Sequence, residues 1–150
     1  MTSSAHFSVV SPADGAVIYE AAFANSAELD ALLTRAVAAQ RGWGLTPLTE
    51  RIHGVLRFLD AVEGIREEAA EELTAQMGRP RSQTPGELSG FLDRGRTMAR
   101  LAEEALGDYV PPPKEGFTRA IQHVPVGVVL VLSPWNYPWL TAVNAVVPAL

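Results

Sequence analysis

Cysteine is absent from the 150 residues, which excludes disulfides, thiolate metal sites and a thiol nucleophile within this sequence. The three histidines, His6, His53 and His123, are too scattered to indicate a metal site by their spacing. No cluster of Lys and Arg is present and the formal net charge is -5, so nucleic acid is not an expected partner. The N-terminus has no basic segment followed by an apolar one, so a cytoplasmic location is expected.

The composition is that of a folded soluble protein, with 47% apolar and 19% charged residues, and the length suits one domain. One segment requires a membrane test, because residues 124–150 carry no charge and a span needs about 20 apolar residues. Four prolines and Asn136 interrupt that segment, and the prolines would leave backbone groups unsatisfied in lipid. A buried strand followed by a buried helix is therefore the favoured interpretation, and no membrane partner is expected.

The first half of the chain predicts a hairpin followed by helices. FSVVSP and AVIYEAAF are β-rich and flank a Pro-Ala-Asp-Gly turn. Helix-capping side chains at Asn25-Ser26 precede apolar residues at helical spacing, which predicts a first helix that ends near Gly42. Two further helices are predicted to begin at Thr46-Pro47 and Thr84-Pro85, with the threonine hydroxyls as caps. The predicted breaks lie at Gly64, at Gly78 with Pro80, and at Gly107.

The second half changes character after an extended PPPKEG connector at residues 111–116. The alternation in FTRAIQHV predicts an exposed antiparallel strand. Residues 126–132 are almost continuously Val and Leu, which is typical of a strand buried on both faces of a parallel sheet. With a turn and a helix from about Pro138, this order is the opening of a βαβ unit, so the fold class is predicted to be α/β.

The predicted architecture is incomplete. A parallel strand needs neighbouring strands and helices over both faces of the sheet. The 150 residues of this sequence do not provide them. We therefore expect the chain to be the leading part of something longer.

Four stretches carry a resemblance to a known family. The segment 124–150, VPVGVVLVLSPWNYPWLTAVNAVVPAL, resembles the part of the NAD(P)-dependent aldehyde dehydrogenase superfamily that enters its first nucleotide-domain strand, with a Pro-Trp-Asn-(aromatic)-Pro turn. SPADGAVI is similar to the N-terminal hairpin of that family. Residues 38–43 followed by TPLTER, and EELTAQMGRP, resemble a helix junction and a helix end of the family. The likeness covers essentially the whole chain in the same order.

The resemblance implies site residues, a reaction and a cofactor. Asn136 matches the asparagine whose side-chain amide stabilises the oxyanion of a cysteine thiohemiacetal. Leu132, Ser133, Pro134 and Trp135 match the stretch along the adenosine-ribose side of the cofactor, which is NAD or NADP. The implied reaction is oxidation of a small-molecule aldehyde to a carboxylic acid. No metal is implied.

Other groups of the family are missing from this sequence. Its cysteine nucleophile, glutamate base, ribose-binding lysine and glycine-containing nucleotide motif lie beyond residue 150, so the chain is not expected to catalyse the reaction alone. FTRAIQHV resembles the family's intersubunit arm, which implies a homo-oligomer. The implied organisation is an N-terminal hairpin and helices of the cofactor-binding domain at 1–108, an arm-like strand at 109–124, and the first buried strand and helix of the nucleotide-binding sheet, truncated, at 125–150.

Some alternatives stay open at the level of sequence. Asn136 could instead cap the helix that starts near Pro138. Trp139 is interpreted as a core residue, and Tyr137 either lines a substrate entrance or packs on the surface. The chain could also be a non-enzymatic helical module that docks on a partner through its apolar C-terminal end. A membrane-associated protein is a third and weaker possibility.

Overall fold

The computed structural model describes residues 5–150, which form one antiparallel hairpin and five helices. Their bounds are β1 His6–Val10, β2 Val17–Ala22, α1 Ser26–Trp43, α2 Leu48–Gly64, α3 Arg66–Met77, α4 Thr84–Leu106 and α5 Pro138–Ala149. The hairpin, the four helices that follow it and the helix from Pro138 are as predicted, and the α/β class is confirmed. Within residues 5–150, no helix is both long enough and apolar enough to cross a membrane.

The junction between the hairpin and α1 is a capping box, and its Asn25 caps the helix as predicted. The Asn25 Oδ1 accepts a hydrogen bond from the backbone N–H of Glu28 at 3.0 Å. The Glu28 carboxylate in turn accepts one from the backbone N–H of Asn25 at 2.8 Å. Two of the amides that have no partner within the helix are therefore satisfied by local side chains.

The apolar face of α1 is exposed, although its periodicity predicted the helix correctly. None of the residues of α1 is buried, and Leu29, Leu32 and Leu33 are each more than half exposed. The two strands of the hairpin are equally open, and they carry a surface cluster in which the rings of Phe7 and Phe23 lie 5.3 Å apart. The first 43 residues therefore contribute little to the core of the described chain.

Helix α4 lies at the centre of the packing and contacts α2, α3 and α5. The apolar stripe predicted for α2 is confirmed, since Val55, Leu59 and Val62 are buried. Leu59 meets α4 where Gly95 removes a side chain: a Cβ at Gly95 would lie 2.6 Å from a Leu59 methyl carbon. The main core cluster consists of Val55, Leu59, Val62, Ala69, Leu73, Leu88, Phe91, Leu92, Ala99, Val143 and Val147.

The helix breaks follow the predicted glycines, but the threonine caps do not form as predicted. α2 ends at Gly64, and α3 ends at Gly78, which adopts the left-handed conformation with φ 72°. At the start of α2 the N-cap residue is Pro47, while the Thr46 hydroxyl donates to the carbonyl of Gly42 at 3.3 Å. Thr84 is the first residue of α4, and its buried hydroxyl donates to the carbonyl of Arg81 at 3.3 Å. Both threonines are therefore used in contacts other than the predicted caps.

The segment 126–132 is not a buried strand within residues 5–150, contrary to the prediction. It has no strand assignment, and Val126, Leu130 and Leu132 are 90%, 81% and 85% exposed. A strand needs a neighbour to accept and donate its ladder hydrogen bonds, and residues 126–132 make no backbone hydrogen bond to another part of the described chain. The segment runs from the connector to the turn before α5.

The arm-like segment 109–124 folds back on itself through two isolated antiparallel bridges. One bridge joins Tyr109 to Ile121 and the other joins Lys114 to Phe117. Phe117 and Ile121 are exposed. The predicted strand is therefore reduced to single bridges, and its apolar side chains point away from the core.

Gly78 provides a test of the left-handed turn that ends α3. In a Gly78→Ala variant, the new Cβ would face the Pro12 ring at 2.7 Å, and a residue with a Cβ at positive φ costs about 1–2 kcal/mol. We expect the free energy of unfolding to fall by at least that amount in urea denaturation. The matched control is Gly86→Ala in α4, where a Cβ would meet open space and the gain in helix propensity is about 1 kcal/mol. Equal stability of the two variants would contradict this account.

Candidate active site

The predicted site residues form a continuous exposed stretch that leads into α5. Leu132, Ser133 and Pro134 lie in the extended segment, and Trp135 and Asn136 form the turn that follows. All five residues are exposed, with Trp135 at 79%. The five predicted site residues are therefore all accessible from solvent in the described structure.

Asn136 does not cap α5, so the capping interpretation is wrong. The N-cap residue of α5 is Tyr137, and no side-chain capping hydrogen bond is made there. The backbone carbonyl of Asn136 accepts a hydrogen bond from the Arg79 guanidinium. Its side-chain amide has no hydrogen-bond partner within residues 5–150. The turn therefore presents a free amide, which can donate to an anionic oxygen.

Glu87 supplies the cap that α5 lacks. Its Oε1 accepts hydrogen bonds from the backbone N–H groups of Trp139, at 2.9 Å, and Leu140, at 3.2 Å. These are amides of the first turn, which have no partner within their own helix. The Glu87 side chain is only 1% exposed. A carboxylate from α4 therefore satisfies the first turn of α5 and also complements its dipole.

Arg79 completes the arrangement from the loop between α3 and α4. Its Nη1 pairs with Glu87 Oε2, and its Nη2 donates to the carbonyl of Asn136. The guanidinium carbon also lies 4.1 Å from the centroid of the Tyr137 ring, which is within the range of a cation–π contact. The Arg79 side chain is 11% exposed. Arg79 thus contacts the backbone of the turn, and Glu87 contacts the first turn of the helix that follows it.

Further contacts seat the rest of α5 on α4. Arg94 donates to the carbonyl of Leu140 and to the Asn144 Oδ1, both at 3.2 Å. Trp139 packs edge-on against Phe91 with 5.3 Å between the ring centroids, so its predicted core role is confirmed. These contacts orient the helix about its own axis, and the turn is carried with it.

Neither Arg79 nor Glu87 is marked by the sequence pattern as part of this site. A signal for Glu87 was present, because Glu87 precedes Phe91 by four residues and so lies on the same face of α4. A carboxylate on an apolar face is almost never buried without a partner. The partner could not be read from spacing, since Trp139 and Leu140 are more than 50 residues away. Among residues 5–150, no cluster of three or more His, Asp or Glu could hold a metal ion.

Removing the Glu87 carboxylate tests how far α5 depends on it. A Glu87→Ala variant would leave the Arg79 charge buried without a partner and would free two amides of α5. Breaking a buried pair in this way costs about 3–5 kcal/mol, and we expect that loss in chemical denaturation. Glu71→Ala is the control, because Glu71 pairs with Arg81 with a side chain 67% exposed and should change stability by no more than about 0.5 kcal/mol. A similar small loss for both variants would exclude Glu87 as the anchor of α5.

Known proteins of one family match this chain along nearly its whole length. The family model described as "Aldehyde dehydrogenase family" matches residues 1–150. Vanillin dehydrogenase of Corynebacterium glutamicum is 33% identical over 141 residues, which are 94% of this chain and 29% of that protein. Succinate-semialdehyde dehydrogenase [NADP(+)] of Deinococcus radiodurans is 31% identical over 96% of this chain and 30% of its own length.

A solved structure shares the fold as well. The crystal structure of an NAD-dependent benzaldehyde dehydrogenase from Corynebacterium glutamicum superimposes with a TM-score of 0.87 at 30% identity. The match covers 99% of this chain and 32% of that one, so the chain spans about a third of the length of this relative. Sequence and structure agree over the full described range, and the chain belongs to the aldehyde dehydrogenase family.

Proposed function

We propose that this chain is the N-terminal part of an NAD(P)-dependent aldehyde dehydrogenase that oxidises an aldehyde to a carboxylic acid through a cysteine thiohemiacetal. In this proposal Asn136 donates a hydrogen bond from its side-chain amide to the oxyanion that forms when a thiolate attacks the aldehyde carbon. The sequence contains no cysteine, so the thiolate belongs to another part of the protein. By itself the chain is expected to be inactive.

The observation that carries the proposal is the free, exposed amide of Asn136 on a turn whose backbone is held. An oxyanion donor stabilises charge effectively only when it is oriented in advance, because no reorganisation is then needed as the charge develops. Arg79 holds the carbonyl of Asn136 and Glu87 holds the two amides that follow in α5. The amide of Asn136 is thereby left available to a substrate while its backbone is fixed.

The cofactor is proposed to lie along residues 132–135. NAD or NADP would supply the hydride acceptor of the oxidation. The stretch fits such a group, because Leu132 and Trp135 expose apolar surface and none of the four residues carries a charge. These side chains would bind and orient the adenosine-ribose part of the cofactor. The choice between NAD and NADP is left to other residues, in line with the relatives, whose names include both cofactors.

The exposed apolar surfaces support the placement within a larger protein. The open face of α1 and the residues 126–132 expose large apolar side chains, as expected of surfaces that pack against further structure. We propose that residues 126–132 become a strand of the nucleotide-binding sheet once neighbouring strands are present. The segment 117–124 is proposed to act as an intersubunit arm, which makes the intact protein a homo-oligomer.

Replacing Asn136 tests the catalytic proposal. In the enzyme that contains this chain, Asn136→Ala should lower kcat by about 10²- to 10³-fold, the usual loss for one oxyanion donor. Its melting temperature should change little, because the side-chain amide makes no hydrogen bond within residues 5–150. Gln76→Ala is the control and should leave kcat unchanged, since the Gln76 amide lies on α3 and donates to the Glu72 carboxylate on the same helix. An Asn136→Ala enzyme with lowered melting temperature and parental kcat would refute the assignment.

Trp135 tests the cofactor surface. In the same enzyme, Trp135→Ala should raise the Kd of NAD or NADP about tenfold, equivalent to about 1.4 kcal/mol, because an apolar contact surface is lost. Its melting temperature should stay near the parental value, since the side chain is 79% exposed. Tyr109→Ala removes another exposed aromatic ring and should leave cofactor titrations unchanged. Parental Kd values for both cofactors in Trp135→Ala would place the cofactor elsewhere.

A further inference from the structure

The turn that carries Asn136 depends on a side chain from outside α5 for its orientation. Residues 126–134 before the turn have no strand partner among the described residues. After the turn, α5 is packed on α4 through Val143 and Val147. Within the described residues, the peptide of Asn136 therefore lies between an unpaired segment and an anchored helix, and a direct side-chain contact holds its carbonyl.

Arg79 makes that contact, and its guanidinium is itself held in place by two other side chains. Its Nη1 is paired with the buried carboxylate of Glu87, the Tyr137 ring lies against one face of the guanidinium, and its Nη2 donates to the carbonyl of Asn136. The planar guanidinium presents its donors at fixed angles. The carbonyl direction of residue 136 is thus coupled to the start of α4, where Glu87 lies.

The side-chain direction of Asn136 follows from its backbone. A rotation of the 136 peptide would turn its Cα–Cβ bond and move the amide away from its place. Misplacement of a reacting or stabilising group by about 1 Å can cost about 10²-fold in rate. A loose turn would therefore retain the amide and lose its orientation.

We propose that Arg79 is a positioning residue for Asn136: it holds the 136 carbonyl so that the side-chain amide is directed at the substrate oxygen. This inference rests on the proposed function of Asn136. The Arg79–Glu87 pair, on this view, transmits the geometry of α4 to the site. If the Arg79–Glu87 pair were only structural, its loss would lower the stability of α5 and would not lower kcat through Asn136.

The test uses three variants of the enzyme that contains this chain. Arg79→Met removes the donors but keeps a side chain of similar length. Arg79→Lys restores a cation with three N–H donors that can reach Glu87 and the 136 carbonyl. Arg81→Met is the matched control, because Arg81 pairs with Glu67 and Glu71 at the surface. Each is made alone and with Asn136→Ala, and kcat, KM and melting temperature are measured.

We expect Arg79→Met to lower kcat about 10- to 100-fold with little change in KM, and Arg79→Lys to recover most of the loss. Arg81→Met should match the parent enzyme.

In the Asn136→Ala background, Arg79→Met should cause no further loss of kcat, since the group it positions is already gone. Multiplied losses in the double variant, or parental kcat in Arg79→Met beside an impaired Asn136→Ala, would overturn the positioning role alone. Parental kcat in Asn136→Ala would overturn the proposed function and this inference with it.

If Arg79→Met does not fold because the Glu87 charge is unpaired, the pair Arg79→Met with Glu87→Gln replaces it. The glutamine carbonyl can still accept hydrogen bonds from the amides of Trp139 and Leu140, and no charge is left buried. The hydrogen bond to the Asn136 carbonyl and the cation–π contact with Tyr137 are lost, while the cap of α5 is kept. The same fall in kcat, absent in the Asn136→Ala background, is expected, and parental kcat in this paired variant would overturn the inference.

Discussion

The buried carboxylate of Glu87 is the interaction on which the candidate site depends. It is almost fully removed from water, and such a charge is stable only where hydrogen bonds and an opposite charge replace its hydration. The two first-turn amides of α5 and the guanidinium of Arg79 provide that replacement. The requirement is mutual, because α5 lacks any cap of its own. The loop after α3, the start of α4 and the start of α5 therefore meet at one group.

Helix α4 connects this group to the rest of the described structure. It packs on α2, α3 and α5, so the position of the turn before α5 is set by the same helix that carries most of the core. The apolar faces that do not reach α4 remain open, notably α1 and residues 126–132. The exposed α1 is nevertheless a helix, whereas the exposed residues 126–132 do not form a strand. A helix satisfies its backbone internally, whereas a strand needs a neighbour.

The sequence predicted where helices and turns lie better than it predicted which contacts their side chains make. The Asn25–Glu28 capping box, the break at Gly64 and the left-handed Gly78 were all readable from local chemistry. The role of Thr46 was not, because its hydroxyl bonds backward to the carbonyl of Gly42 and not forward into α2. Hydroxyl side chains can bond to the backbone on either side, and their choice depends on how the preceding helix ends.

The sequence by itself determined the hairpin, the helix limits and the family, since these rest on turn residues, periodicity and a motif order that are encoded locally. It also singled out Asn136 and the four residues before it. Only the tertiary structure decided that Asn136 leaves its amide unbonded, that Glu87 caps α5, and that Arg79 holds the turn. The reason is physical: these contacts join residues more than 50 positions apart, and burial of a charge depends on which partners the folded chain brings to it.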